Sequence, residues 1–150
     1  MWASMLGDQV PHVQVEMALE DEHRRLFIQM DELQRQIASD APLAKQRFTL
    51  QMLDSFLKAN SLAEEAVMFA SSFPGGLAHR DEHRAHHRAV CLIDGHIISL
   101  EREAALSALA AQRHAMLIHI REKDQEIVNW KRSFKPAHLT PSQPGDFDGD

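Results

Sequence analysis

Cysteine is all but absent from this chain, and that absence narrows its class. One cysteine, Cys91, in 150 residues cannot form an internal disulfide. A disulfide-stapled scaffold is excluded, and a reducing compartment is the default. Six glycines and six prolines are too few for a turn-rich β protein. Tyrosine is missing altogether. No apolar run approaches the ~20 residues of a membrane helix. Residues 1–12 lack a basic stretch followed by an apolar one, so no secretory signal is read there. Positive charge is in deficit. Sixteen Lys and Arg against 22 Asp and Glu give a net charge of −6, which argues against nucleic acid or an anionic membrane as partner. The expectation that remains is an acidic cytoplasmic protein whose length suits one core. The residue in excess is histidine, with ten copies.

Helix breakers fall in few places. Gly7 and Pro11 precede the first long segment, and Ser39, Asp40 and Pro42 make the first break. Phe73-Pro74-Gly75-Gly76 makes the second, Gly95 with Ser99 a weaker third, and Pro136, Pro141, Pro144 and Gly145 mark the tail. The segments between them, about 16–38, 43–72, 77–97 and 100–134, carry apolar residues at steps of three and four. Examples are Leu19, Leu26, Met30, Leu33 and Ile37 in the first and Leu106, Leu109, Met116, Ile120, Ile127 and Phe134 in the last. Leu53, Leu57, Val67 and Met68 mark the second, and Val90, Ile93 and Ile97 the third. Gly75-Gly76 reads as the end of the second helix. Ser99 with Glu101 and Glu103 reads as the capped start of the fourth. Four helices with short connections predict an all-α, up-down-up-down antiparallel four-helix bundle over residues 1–135. Residues 136–150, Pro-rich and acidic, read as a disordered tail.

Each stripe is interrupted by polar residues. His23 stands between Leu19 and Leu26, Asn60 and Glu64 stand between Leu57 and Val67, His79 and His83 precede Val90, and His119 and Asp124 flank Ile120. A buried carboxylate or imidazole is costly unless paired or bound to metal. Residues four apart share a helix face, so His79 and His83 can chelate one ion. Imidazole and carboxylate without thiolate suit iron, manganese or zinc. Carboxylates can also bridge two cations, as in bundle-core dinuclear sites. The remaining histidines receive no role, Glu65 reads as solvated, and Cys91 reads as a small buried apolar group. One spacing fits poorly. Five residues of ideal helix turn by ~500°, leaving His119 and Asp124 about 140° apart. The two side chains either approach from opposite edges of the stripe or sit on a π-type bulge, so the spacing predicts local irregularity at 119–124.

These segments resemble those of the bacterial hemerythrins. Residues 19–27, LEDEHRRLF, are similar to the family's Ile-Asp-x-x-His-Lys-x-Leu-Phe segment, and residues 60–68, NSLAEEAVM, to its His-x-x-x-Glu-Glu-x-x-Met. His79 and His83 match its His-x-x-x-His, and residues 119–124, HIREKD, match its His-Ile-x-x-x-Asp. The resemblance covers about residues 15–134. It implies a non-haem di-iron centre with an oxo or hydroxo bridge. His79, His83 and His119 would hold one iron, Glu64 and Asp124 would bridge, and His23 would serve the second, oxygen-binding iron. Asn60 departs from the pattern, since the family carries a histidine ligand there. An amide oxygen is the weaker ligand, so Asn60 can bind through oxygen, leave its place to water, or make the second metal labile. Another divalent metal or partial occupancy fits the same residues. The expected function is reversible dioxygen binding for storage, delivery or sensing, with Leu26, Phe27, Phe56 and Ile120 as candidate pocket residues. The alternatives are a di-iron enzyme acting on peroxide or nitric oxide, and an iron or redox sensor or metal store.

Overall fold

The computed structural model describes residues 10–133, with side chains from residue 20 onward. The tail at 136–150, the side chains of His12 and Leu19, and Phe134 and His138 lie outside the described residues. Helices α1 (Val10–Ala38), α2 (Leu43–Ala70) and α3 (Gly76–Ile98) are followed by a fourth, composite helix. It runs as α4 (Arg102–Ile118), a π-helical turn (His119–Asp124) and α5 (Gln125–Ser133). No strand occurs among the described residues. Each helix packs on the next, and α4 closes the ring against α1, as short connections between antiparallel neighbours require. No helix among the described residues is long and apolar enough to cross a membrane.

The core divides along the bundle axis. Towards the end that carries the α1–α2 and α3–α4 turns it is apolar. Met30, Leu33 and Ile37 meet Leu50 and Leu53, Ile93 and Ile97, and Ala105 and Leu109, all buried. Burying each large side chain of this kind contributes about 1.5–3 kcal/mol. Towards the α2–α3 turn the same stripes become polar, with Asn60, Glu64, His79, His83, His119 and Asp124 all buried. Trp130 closes that end. Its ring stands edge-on to Phe73 at 6.2 Å, and its Nε1 donates to the Ser71 carbonyl at 2.9 Å.

Three boundaries differ from expectation, two of them at turns. Gly75 and Gly76 open α3 rather than close α2, and Ser99 ends α3 rather than capping α4. The reason is common to three turns. Ala41, Phe73 and Glu101 each donate five residues back, to Gln36, Met68 and His96, at 2.9, 3.0 and 2.9 Å. Asp40, Ser72 and Leu100, one residue earlier, each donate three back. This is the Schellman pairing, which needs a left-handed residue at its turning point. Asp40, Ser72 and Leu100 fill that position with φ of 52°, 53° and 58°. Glycine did not mark these helix ends because other residues take the strained position. Gly75 serves packing instead, since a Cβ there would lie 2.8 Å from the Phe73 ring. At the other end α1 starts at Val10, earlier than the expected residue 16. Pro11 falls in its first turn, where a missing N–H costs nothing.

Candidate metal centre

All four helices of the bundle deliver polar side chains to one level. Glu64 follows Asn60 by four residues on α2, and His83 follows His79 by four on α3, so each pair shares an inward face. The composite helix solves the harder case. Its inward residues are Leu109, Gln112, Met116, His119, Asp124 and Ile127, all buried. Only the five-residue step, from His119 to Asp124, departs from threes and fours, and those six residues form the π-helix. The wider turn absorbs the extra residue and brings His119 Nε2 to 3.1 Å from Asp124 Oδ1. The irregularity expected from the spacing is therefore present, in its π-type form.

The two carboxylates each face two ways. Glu64 Oε2 lies 3.1 Å from His79 Nε2 and 2.9 Å from His83 Nε2, while its Oε1 lies 3.4 Å from His23 Nε2. Asp124 Oδ1 lies 3.3 Å from His79 Nε2 and 3.1 Å from His119 Nε2, while its Oδ2 lies 3.1 Å from His23 Nε2. Three imidazoles thus gather on one side of the carboxylate pair and His23 stands on the other. Glu64, His79, His83, His119 and Asp124 offer ligand atoms that all lie within 4.8 Å of one another. On the His23 side, Asn60 Nδ2 donates to Glu64 Oε1 at 2.6 Å.

Several of these buried atoms lack a hydrogen bond of good geometry. Asp124 Oδ1 and Oδ2, His119 Nε2 and Asn60 Oδ1 are all left without one. The contacts of Asp124 with the imidazoles are short but poorly aligned, so they supply charge attraction without a full hydrogen bond. Such orphans are costly in a protein interior. A cation among them would satisfy the carboxylate oxygens and the imidazole nitrogens together. The donor set, nitrogen and oxygen without sulfur, suits iron, manganese or zinc.

Without metal, protons hold the cluster together. Burial pulls the His23 and His79 imidazoles down, but contact with Asp124 and Glu64 outweighs it and lifts each to about 9. Burial likewise opposes a charged His83, yet Glu64 and Glu65 raise it. Burial pushes Glu64 up, and His23, His79 and His83 overcome this and hold it at about 2. Asp124 is held well below the ordinary carboxylate range, because His119, His23 and His79 outweigh its burial.

Comparison with protein-family models, curated proteins and solved structures returned no match. A buried His, Glu and Asp cluster that could hold a metal ion is what the geometry itself establishes.

The outer nitrogens of two imidazoles are held from outside. His83 Nδ1 is 3.0 Å from Glu65 Oε1, and His119 Nδ1 is 2.9 Å from Glu82 Oε2. Each contact holds a proton on Nδ1, so that the ring, once its Nε2 proton is lost, would present an Nε2 lone pair inward to a metal. Glu82 was not singled out from the sequence, and Glu65, expected in solvent, is half-buried against His83. The available signal was Glu65 lying next to Glu64. For Glu82 there was none, because His119 lies on another helix. His86 is also buried, where Gln112 Nε2 donates to its Nδ1 at 3.1 Å. Its ring stands 5.0 Å from that of His119, and burial lowers its pKa. Cys91, expected to be buried, is exposed, because its place in the α3 repeat falls outside the inward stripe of Val90 and Ile93.

A cavity of about 240 Å³ opens on the His23 side. His23, Glu64 and Asp124 contribute to its lining, together with apolar Val67, Ile120 and Val128 and with Lys131 and Arg132. Of the four residues expected around a small ligand, Ile120 lines this cavity. Leu26 is wholly buried in the apolar core, and Phe27 and Phe56 pack against that core. The Arg113 guanidinium sits 5.3 Å from the centre of the Phe27 ring.

Proposed function

We propose that this chain is a hemerythrin-like non-haem di-iron protein that binds dioxygen reversibly. One observation carries the reading. Each carboxylate turns one oxygen to a three-imidazole side and the other to His23, which borders a cavity. Carboxylates so placed can span two cations and offset their repulsion. In that place an iron pair would supply two electrons to dioxygen and recover them on its release. His79, His83 and His119 would hold the enclosed metal, while Glu64 and Asp124 bridge and His23 holds the metal beside the cavity. Asn60 keeps Glu64 Oε1 fixed by its 2.6 Å donation. Val67, Ile120 and Val128 supply apolar wall beside the metal position, which slows attack by water. The π turn positions Asp124 rather than taking part in chemistry.

The cavity favours a second reading, an enzyme acting on peroxide or nitric oxide. At about 240 Å³ it offers room for several waters, each taking ~30 Å³ of liquid volume. A site that sheltered bound dioxygen alone needs less room and a drier wall.

Metal analysis and visible spectroscopy of the full chain test both readings. Two irons per chain, with visible bands that appear in air and vanish reversibly at low oxygen, support the first. Rapid bleaching with peroxide consumption supports the second. Absence of iron, or bands indifferent to oxygen and peroxide alike, would overturn both.

A further inference from the structure

We propose that the two metal positions load in order and with unequal strength, and that Glu65, Glu82 and Asn60 set the inequality. The inference rests on the dinuclear reading above and concerns divalent cations at the same centre. The two sides differ in three respects that bear on affinity.

The first is ligand number. Three imidazoles face one side, whereas His23 alone faces the other. The second is support from behind. Glu65 and Glu82 hold His83 and His119 by their outer nitrogens at 3.0 and 2.9 Å. Such a carboxylate fixes the tautomer, stops ring rotation and makes the inward nitrogen more basic. No carboxylate contact of this kind reaches the outer nitrogen of His23 among the described residues. The His23 side chain is 16% exposed and borders the cavity, whereas those of His79 and His119 are 2% exposed. The third is competition. Asn60 directs its NH₂ at Glu64 Oε1, the oxygen turned towards His23. The reverse orientation would set its carbonyl oxygen against a carboxylate, so the amide faces as observed. A cation on the His23 side must share that oxygen with an N–H donor, and the amide oxygen, without a hydrogen bond, gains a partner only if the side chain rotates. The three-imidazole position is pre-organised and fills first. The His23 position is open to the cavity and exchanges with solution.

Glu65 and Glu82 are thus positioning residues for the tight site, and Asn60 is the residue that weakens the other. The test titrates the metal-free full chain with Fe(II) under anaerobic conditions against a chromophoric chelator. Two steps separated by at least a hundredfold are expected. Glu65→Ala and Glu82→Ala should each weaken the first step about 10- to 100-fold and leave the second within about threefold. Glu65→Gln and Glu82→Gln, which keep an acceptor, should recover part of that loss. Asn60→His should tighten the second step and bring the two within about tenfold. In the Zn(II)-loaded protein, ¹⁵N spectra of His83 and His119 should report Nδ1–H in the wild type and a changed signal in the alanine variants. A merely structural role for the glutamates would not move that signal. Two ions entering wild type in a single step, or glutamate variants that weaken both steps equally or neither, would overturn the unequal loading while leaving a dinuclear centre. No metal uptake, or one ion even in Asn60→His, would overturn the dinuclear reading as well.

Discussion

Deleting Arg121 should stabilise the metal-free protein once Asp124 is already replaced by Ala, and on its own it should damage the candidate metal centre. Arg121 is exposed and lies inside the π turn. The inward positions of the composite helix run Leu109, Gln112, Met116, His119, Asp124 and Ile127, in steps of three, four, three, five and three. Removing one residue turns the five into a four. A regular α-helix then carries the whole stripe, and Ile127 and Trp130 keep their inward faces. The π turn forgoes one regular backbone hydrogen bond, and restoring it contributes about 0.5–1.5 kcal/mol. In a domain of this size that raises Tm by about 1–6 °C. The loss falls on Asp124. The helix shortens by ~1.5 Å, comparable with half of the 3.1–3.3 Å contacts that its carboxylate makes with three imidazoles. A carboxylate displaced that far no longer reaches both sides, and metal uptake should fall by about a hundredfold or more at one position. Thermal unfolding of metal-free Asp124→Ala with and without the deletion, by circular dichroism, and metal stoichiometry of the single deletion measure the two effects. Lower stability of the doubly altered protein than of Asp124→Ala alone would show that the turn is not an inserted residue. A single deletion that binds metal as wild type does would show that the π turn is dispensable to the centre.

Three other perturbations follow from the same structure. Leu100 is exposed and left-handed at φ 58°, so Leu100→Gly should relieve roughly 1 kcal/mol of steric cost and raise Tm; an unchanged or lower Tm would contradict the strain. Leu53 is wholly buried in the apolar half, so Leu53→Ala should cost about 2–5 kcal/mol in denaturant unfolding; a loss below 1 kcal/mol would mean that the core collapses around the gap. For the metal-free protein, pH dependence has two opposite limbs. His23 and His79, raised from 6.5 to about 9, stabilise fully below about 6.5, and that contribution disappears as pH rises through 9. Glu64, lowered from 4.5 to about 2, stabilises fully above 4.5, and its contribution disappears as pH falls through 2. Denaturant unfolding should therefore give a maximum between about pH 4.5 and 6.5. Metal affinity should instead strengthen as pH rises, because the imidazoles must lose protons to bind. Rising stability of the metal-free protein from pH 6.5 to 9 would refute the assignment.

The sequence was most informative where a periodic pattern had a physical reason to persist. Leu26, Met30, Leu33 and Ile37 recur at threes and fours because one helix face must meet the core, and all four are buried. His119 and Asp124 were informative for the opposite reason, since a five-residue step violates the helix period and two inward side chains then require a π turn. Helix ends were less legible. Asp40, Ser72 and Leu100 accept a conformation that normally announces itself through glycine, and no local preference of leucine signals φ 58°. The supporting carboxylates were the least legible of all. Glu82 looks like a solvated residue on α3, and only the approach of the fourth helix sets it against His119. The buried His, Glu and Asp leave a mark because charge on an apolar stripe is costly. A half-exposed glutamate that holds a buried imidazole incurs no such penalty, so its sequence carries no anomaly to detect. Asn60 lies between these cases. Its burial beside Glu64 is anomalous in the sequence, but the direction of its amide is fixed only by the carboxylate it faces. That direction separates an amide that donates to Glu64 Oε1 from an amide turned to act as a ligand, and on the proposed dinuclear reading it would make the His23 side the weaker half of the centre.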